Sequence, residues 1–154
     1  MKHKRFRYQH PGSTLTLREG LREYRQGHPH LLKESEVGEE AAELFHSHDI
    51  CHVVFGLDTT LDDETLADTW TILGTTVPFR TYLGYMKQEE AKNILKEAGV
   101  KSLVVGFLRA LPKMVLVWYY SRKMTHKWPW KDHARYLDMP LHQIRTQFNI
   151  RIVE

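Results

Sequence analysis

The sequence predicts an all-α fold, built as a single compact multi-helix domain. Three observations predict it. Apolar residues recur at helical spacing through most of the chain, helix caps and stops punctuate those stretches, and 154 residues suffice for one core. Hydrophobic residues make up 42% and charged residues 27%, which excludes a disordered or fibrous chain.

The elements follow in order. Residues 1–12 are basic and end in Pro11-Gly12, so they read as a loose arm ahead of a helical domain over 13–154. Ser13 or Thr14 can cap a helix running to about Gln26, with the partial stripe Leu15, Leu17, Leu21 and Tyr24. Gly27 sits where a helix usually stops, and Pro29 follows. The next helix spans about Gly38 to Phe55, with Glu39 and Glu40 at the positive end of its dipole and Gly56 as its stop. After a turn over Leu57 to Thr60, Thr60 or Asp62 caps a helix bearing Leu66, Trp70 and Leu73. Gly74 and Pro78 break it before Phe79 to Met86. A short amphipathic helix over Gln88 to Ala98 ends at Gly99. A long apolar helix over Ser102 to Tyr120 is expected to kink at Pro112. Residues 141–148 form a last helix, and Ile150 to Val153 a short strand or an extended tail.

Composition also limits function. A formal charge of +3 gives no nucleic-acid footprint. Cys51 is the only cysteine, so no intramolecular disulfide forms, which suits a reducing compartment. Met1 to Tyr8 is basic but lacks the apolar core of a signal peptide. The chain therefore reads as cytoplasmic and not secreted, with peripheral contact on the inner membrane face in view. The apolar stretch Leu103 to Tyr120 is interrupted by Arg109, Pro112 and Lys113, so it reads as a buried or membrane-surface helix and not a spanning one. Trp118, Tyr119, Tyr120, Trp128 and Trp130 interleave with Arg122, Lys123, Lys127 and Lys131, a pattern shared by membrane interfaces and by ordinary packed surfaces.

Chemistry concentrates in Phe45 to His52. At about 100° per residue, His48 and His52 lie on one helix face, with Asp49 about 60° from His52. Two imidazoles and a carboxylate make a mixed nitrogen–oxygen ligand set for a divalent metal, and three protein ligands leave coordination positions open. The turn after Phe55 lets the next helix fold back antiparallel, which would bring Glu64 near the level of His52 as a fourth ligand or a proton shuttle. Zinc is the first candidate, with iron, manganese and magnesium as the others. His46 points elsewhere and reads as a surface histidine. Cys51 falls off the shared face and reads as a buried structural thiol.

His48-Asp49-Ile50-Cys51-His52, then eleven residues, then Glu64 reproduces H-D-x-x-H-x11-E. This resembles the signature of the coenzyme Q (ubiquinone) biosynthesis protein 4 family. Glu64 to Trp70, Val77-Pro78, Trp118 to Arg122 and Leu141 to Ile150 are also similar to that family, so the likeness covers roughly residues 36–150. The resemblance implies a helical protein with His48, Asp49, His52 and Glu64 at a divalent-metal site. It implies a metal-dependent decarboxylase (a lyase) acting at C1 of a polyprenylated benzoate-type quinone precursor, in some accounts with ring hydroxylation. Eukaryotic members are peripheral membrane proteins that organise other quinone-biosynthesis enzymes, so such partners, or an oligomer, are implied too. Acidic Asp62-Asp63 stands where many members have a smaller, less charged pair.

Two other readings stay open. One is a non-catalytic scaffold that binds a prenyl lipid or quinone precursor and holds a structural metal. The other is an HD-type metal-dependent phosphohydrolase, which would need His28 or His30 upstream and Asp68 downstream at poor spacing.

Overall fold

The computed structural model describes residues 5–29, 38–85 and 99–154. Among them six α-helices occur: α1 (Leu17–Gly27), α2 (Glu39–Phe55), α3 (Leu61–Gly74), α4 (Phe79–Tyr85), α5 (Val100–Ser121) and α6 (Leu141–Phe148). The fold is all-α, and no strand occurs among the described residues. The helix expected over Gln88 to Ala98 lies outside them, as does His30.

α1 starts later than its first polar residues suggest. Thr16 is its cap, and not Ser13 or Thr14, because Thr16 alone has a glutamate three residues on. The Thr16 hydroxyl accepts from the Glu19 N–H at 3.2 Å, and the Glu19 carboxylate accepts from the Thr16 N–H at 2.8 Å. The residues before the cap are used elsewhere. The Leu141 and His142 N–H groups of α6, whose own cap position is the donor-poor Pro140, donate to the carbonyls of Leu15 at 2.8 Å and Ser13 at 3.0 Å. In return the Leu17 and Arg18 N–H groups of α1 donate to Met139 and Leu137 at 3.1 and 2.8 Å. Each helix start thus satisfies the orphan donors of the other.

The N-terminal residues are not a loose arm from Phe6 onward. Arg7–Gln9 forms a 3-10 turn, and Tyr8 is fully buried, its hydroxyl donating to the Leu57 carbonyl at 2.9 Å. Phe6 and Tyr8 are aromatic and apolar enough to gain more from burial than the basic residues around them lose. Phe6 also explains Gly27, which is the last residue of α1 and not a left-handed stop. A Cβ there would lie 2.5 Å from the Phe6 ring.

α2 ends on Gly56 in the left-handed conformation, φ +72°, as its sequence predicts. Its last turns are buried on every side: Ile50, Cys51, Val53, Val54 and Phe55 all have no exposed surface. Thr60 caps α3, accepting from the Asp63 N–H at 3.3 Å. Trp70 of α3 stacks on Phe55 of α2 at 4.4 Å between centroids. α5 runs through Pro112 without ending, and its buried residues Gly106, Ala110 and Val117 lie toward α3, where Gly106 lets Leu61 approach closely. The tail after Asn149 is extended and unpaired in any ladder.

Arg145 of α6 closes the core. It is 4% exposed and has no carboxylate partner among the described residues. Its guanidinium donates instead to four carbonyls: Val54 at 3.0 Å, Val53 at 2.9 Å, Tyr8 at 2.7 Å and His10 at 2.6 Å. Burial lowers its pKa to about 10, so it stays charged at neutral pH. Two of those carbonyls belong to the last turn of α2, where a cation is favoured. Replacing Arg145 with Leu takes the guanidinium donor from the buried carbonyls of Tyr8, Val53 and Val54 and is expected to cost at least about 3 kcal/mol. Urea unfolding measures this, and a loss below about 1 kcal/mol would show that the carbonyls find other donors.

Candidate metal centre

α2 and α3 bring three of the four sequence-predicted residues together. His48 Nε2 and His52 Nε2 lie 3.1 Å apart, and Glu64 Oε2 lies 3.3 Å from the first and 3.4 Å from the second. Three atoms at these separations lie on a circle of radius about 1.9 Å, so one ion at the usual ~2.0–2.1 Å from each fits just off their plane. No other group of three described His, Cys, Asp or Glu side chains converges in this way. The residues fit a divalent metal. The set has two imidazole nitrogens and one carboxylate oxygen, the donors that suit zinc or iron.

The local sequence explains the convergence. His48 and His52 are one helical turn apart, and the short turn capped by Thr60 puts Glu64 in the first turn of α3. His52 is fully buried, whereas the side chains of His48 and Glu64 are 20% and 40% exposed. The cluster therefore has one closed side and one side open toward solvent.

Two facing Nε2 atoms cannot both present lone pairs, so in the absence of an ion a proton lies between them. Burial alone would lower the His48 pKa, but the hydrogen bond and charge of Glu64 outweigh it and push it up to about 9. Burial would raise the Glu64 carboxyl, but His52 and His48 hold it well below the usual carboxylate range.

Asp49, the fourth expected ligand, is not in the cluster. It accepts from Arg25 Nε at 2.9 Å, on the α1 side of α2. The 60° that separates it from His52 around the helix is enough to face a different neighbour. Arg25 also lies 3.0 Å from His46 Nδ1, so His46 is a half-buried, engaged ring and not a free surface histidine. Cys51 is buried, and burial pushes its thiol up to about 12, so it is an unreactive core residue, as its position predicts.

Sequence reasoning missed several neighbours. Tyr24 of α1 stacks on the His52 ring at 5.1 Å. Its place in the apolar stripe gave it a core role, and nothing in its spacing links it to a histidine on another helix. Asp68, one turn beyond Glu64, accepts a short hydrogen bond from the buried Tyr82 hydroxyl. Burial raises its pKa, offset in part by His48. His28, needed upstream by a phosphohydrolase, is held instead by the Tyr24 carbonyl at 2.8 Å and Asp58 at 2.7 Å.

No family model, no curated protein and no solved structure matches this chain.

An ion must displace the His48 proton, so protons and metal compete. Below pH 9 the site is protonated and each unit of rising pH favours the ion; above 9 the competition ends. Apparent zinc affinity, measured by chelator competition, is expected to rise about tenfold per pH unit between 7 and 9 in wild type, and to be lost in His52→Ala. Zinc binding that survives His52→Ala unchanged would remove the site.

Proposed function

We propose that the chain is a divalent-metal lyase of the coenzyme Q biosynthesis protein 4 type. Its substrate would be a polyprenylated benzoate-type ring acid, decarboxylated at C1. The observation that carries this reading is the His48–His52–Glu64 triangle with its open side, since three protein ligands with free positions characterise catalytic and not structural sites. The H-D-x-x-H-x11-E resemblance supplies the reaction class, and zinc remains the first choice of metal.

When bound, the ion would act as a Lewis acid on the substrate carboxylate. His48, His52 and Glu64 would hold it. Glu64, kept ionised by its two histidines, is a ligand in this reading and not a proton donor. Asp68 takes the second role. Its pKa is raised by burial, and Tyr82 fixes its orientation. As the ring–carboxylate bond breaks, the electron pair stays on the ring carbon, Asp68 delivers a proton there, and carbon dioxide leaves.

A lipid-tailed substrate fits the outer face of α5. Val104, Leu108, Leu111, Val115 and Trp118 are all more than a third exposed, and at 100° per residue they fall within an arc of about 80°. From Gly99 to Lys131 there is no acidic residue, while Lys101, Arg109, Lys113, Arg122, Lys123, Lys127 and Lys131 are cationic. Arg122 lies over the Trp118 ring at 4.8 Å and Lys123 over Tyr119 at 5.4 Å. An apolar stripe ending in aromatics and cations matches a helix lying on an anionic bilayer, whereas a second copy of the same face would bring like charges together. Among the described residues no helix is long and apolar enough to cross a membrane.

Two experiments test these points. Zinc-loaded protein incubated with a short-chain 3-prenyl-4-hydroxybenzoate is expected to yield the decarboxylated phenol, with turnover reduced at least about 100-fold in Glu64→Gln. Retention of the prenyl acid and zinc without any turnover would replace the enzyme by a scaffold. In sedimentation with phosphatidylglycerol-containing vesicles, binding is expected, weakened by salt and by at least about tenfold in the Leu108→Glu/Val115→Glu double variant. A wild type that ignores vesicles but dimerises through this face would overturn the membrane assignment.

A further inference from the structure

We infer that α1 is the outer frame of the metal centre, with Asp49 a positioning residue acting through Arg25 and Tyr24 the residue that fixes the His52 ring. The inference rests on the metal reading above and gives new roles to three side chains around it.

Asp49 lies next to the ligand His48 in the sequence, and its charge and helix position make it look like a ligand. Its carboxylate is instead engaged at 2.9 Å by Arg25, and its side chain is only 15% exposed. Arg25 also holds His46 at 3.0 Å, so one guanidinium grips α2 at two points a turn apart. This fixes the rotation of α2 about its axis at the level of the first ligand. Rotation is the quantity that decides whether His48 and His52 both face Glu64.

His52 needs a different support. Histidines that bind metals through one nitrogen usually donate from the other to a carboxylate, a carbonyl or water, which fixes ring orientation. His52 Nδ1 is buried and has no hydrogen-bond partner among the described residues. In its place the Tyr24 ring lies over the imidazole at 5.1 Å with an interplanar angle of 25°. Tyr24 is itself 1% exposed and touches Tyr8 edge-on at 5.9 Å and His28 at 4.9 Å. A ring packed on both sides cannot turn, so stacking does for His52 what a hydrogen bond does elsewhere. Tyr24 and Arg25 are adjacent on α1, and together they act on Asp49 and His52, the two α2 residues that flank the buried side of the cluster.

The test is cobalt(II) titration of the full chain, read by visible absorption and by affinity. Wild type is expected to give a ligand-field spectrum that His52→Ala abolishes. Asp49→Asn and Arg25→Gln are expected to weaken binding by a similar factor, about tenfold, with the spectrum unchanged. Their double variant should be no weaker than Arg25→Gln alone, because that substitution already removes the contact with Asp49. Tyr24→Phe keeps the ring and should bind as wild type, while Tyr24→Leu should lose about 10–100-fold. Circular dichroism melts of the metal-free proteins separate these effects from unfolding, and Arg25→Lys, which keeps the charge, should recover part of the loss. If Asp49→Asn alters the spectrum or abolishes binding while Arg25→Gln is silent, Asp49 is a ligand and the inference fails. If Tyr24→Phe is as weak as Tyr24→Leu, stacking is not the support. If wild type takes up no cobalt or zinc at all, the metal reading itself falls, and this one with it.

Discussion

A single guanidinium sets the terms for this fold. Arg145 brings a positive charge into the core with no anion among the described residues to meet it, and four backbone carbonyls balance it. Such an arrangement holds only when the carbonyls already point inward together, because carbonyl dipoles must replace the water the charge has lost. Val53 and Val54 supply two of them from the last turn of α2, Tyr8 and His10 the others from the N-terminal segment. Two distant pieces of chain are thus tied to α6 by one side chain. The turn of α2 that Arg145 holds follows directly on His52, so the buried half of the metal cluster is mounted on the most constrained part of the molecule.

The outer half is mounted differently. Glu64 comes from the first turn of α3, just beyond the Thr60 cap, and its side chain keeps substantial exposure. The buried His52 and the more accessible His48 and Glu64 thus divide the cluster into a fixed inner side and an open outer one. The same polarity runs outward through α5. That helix buries Gly106, Ala110 and Val117 against α3 and leaves its apolar stripe uncovered. The molecule is closed around its histidines and leaves the apolar stripe of α5 exposed.

Much of this was legible in the sequence, for reasons that differ by element. α2 and α3 were readable because their ends are local: Gly56 needs a left-handed turn and Thr60 finds its donor three residues on. His48, His52 and Glu64 were readable because helical spacing and one short turn suffice to converge them. Asp49 was misplaced because its neighbour, Arg25, lies on another helix, and no local period reveals which face of α2 that helix covers. The N-terminal arm was misread for the same reason. Its basic residues suggested solvent, while Phe6 and Tyr8 are packed by Gly27, His28 and Leu57, which are distant in sequence. The start of α1 went wrong where Ser13 and Leu15 serve α6 instead of their own helix.

That exchange between the two helix starts affects the order of folding. α1 cannot satisfy its first donors until residues 137–139 reach it, and α6 cannot satisfy its own until residues 13–15 are in place. Contacts across about 120 residues close slowly and late, because loop closure must precede any reward. During synthesis α1, α2 and α3 all emerge before residues 137–139, so the histidines and glutamate can come into register while the start of α1 is still incomplete. A nascent chain would thus carry a loosely held ligand set, and the ordered centre would form only once the C-terminal residues have left the ribosome.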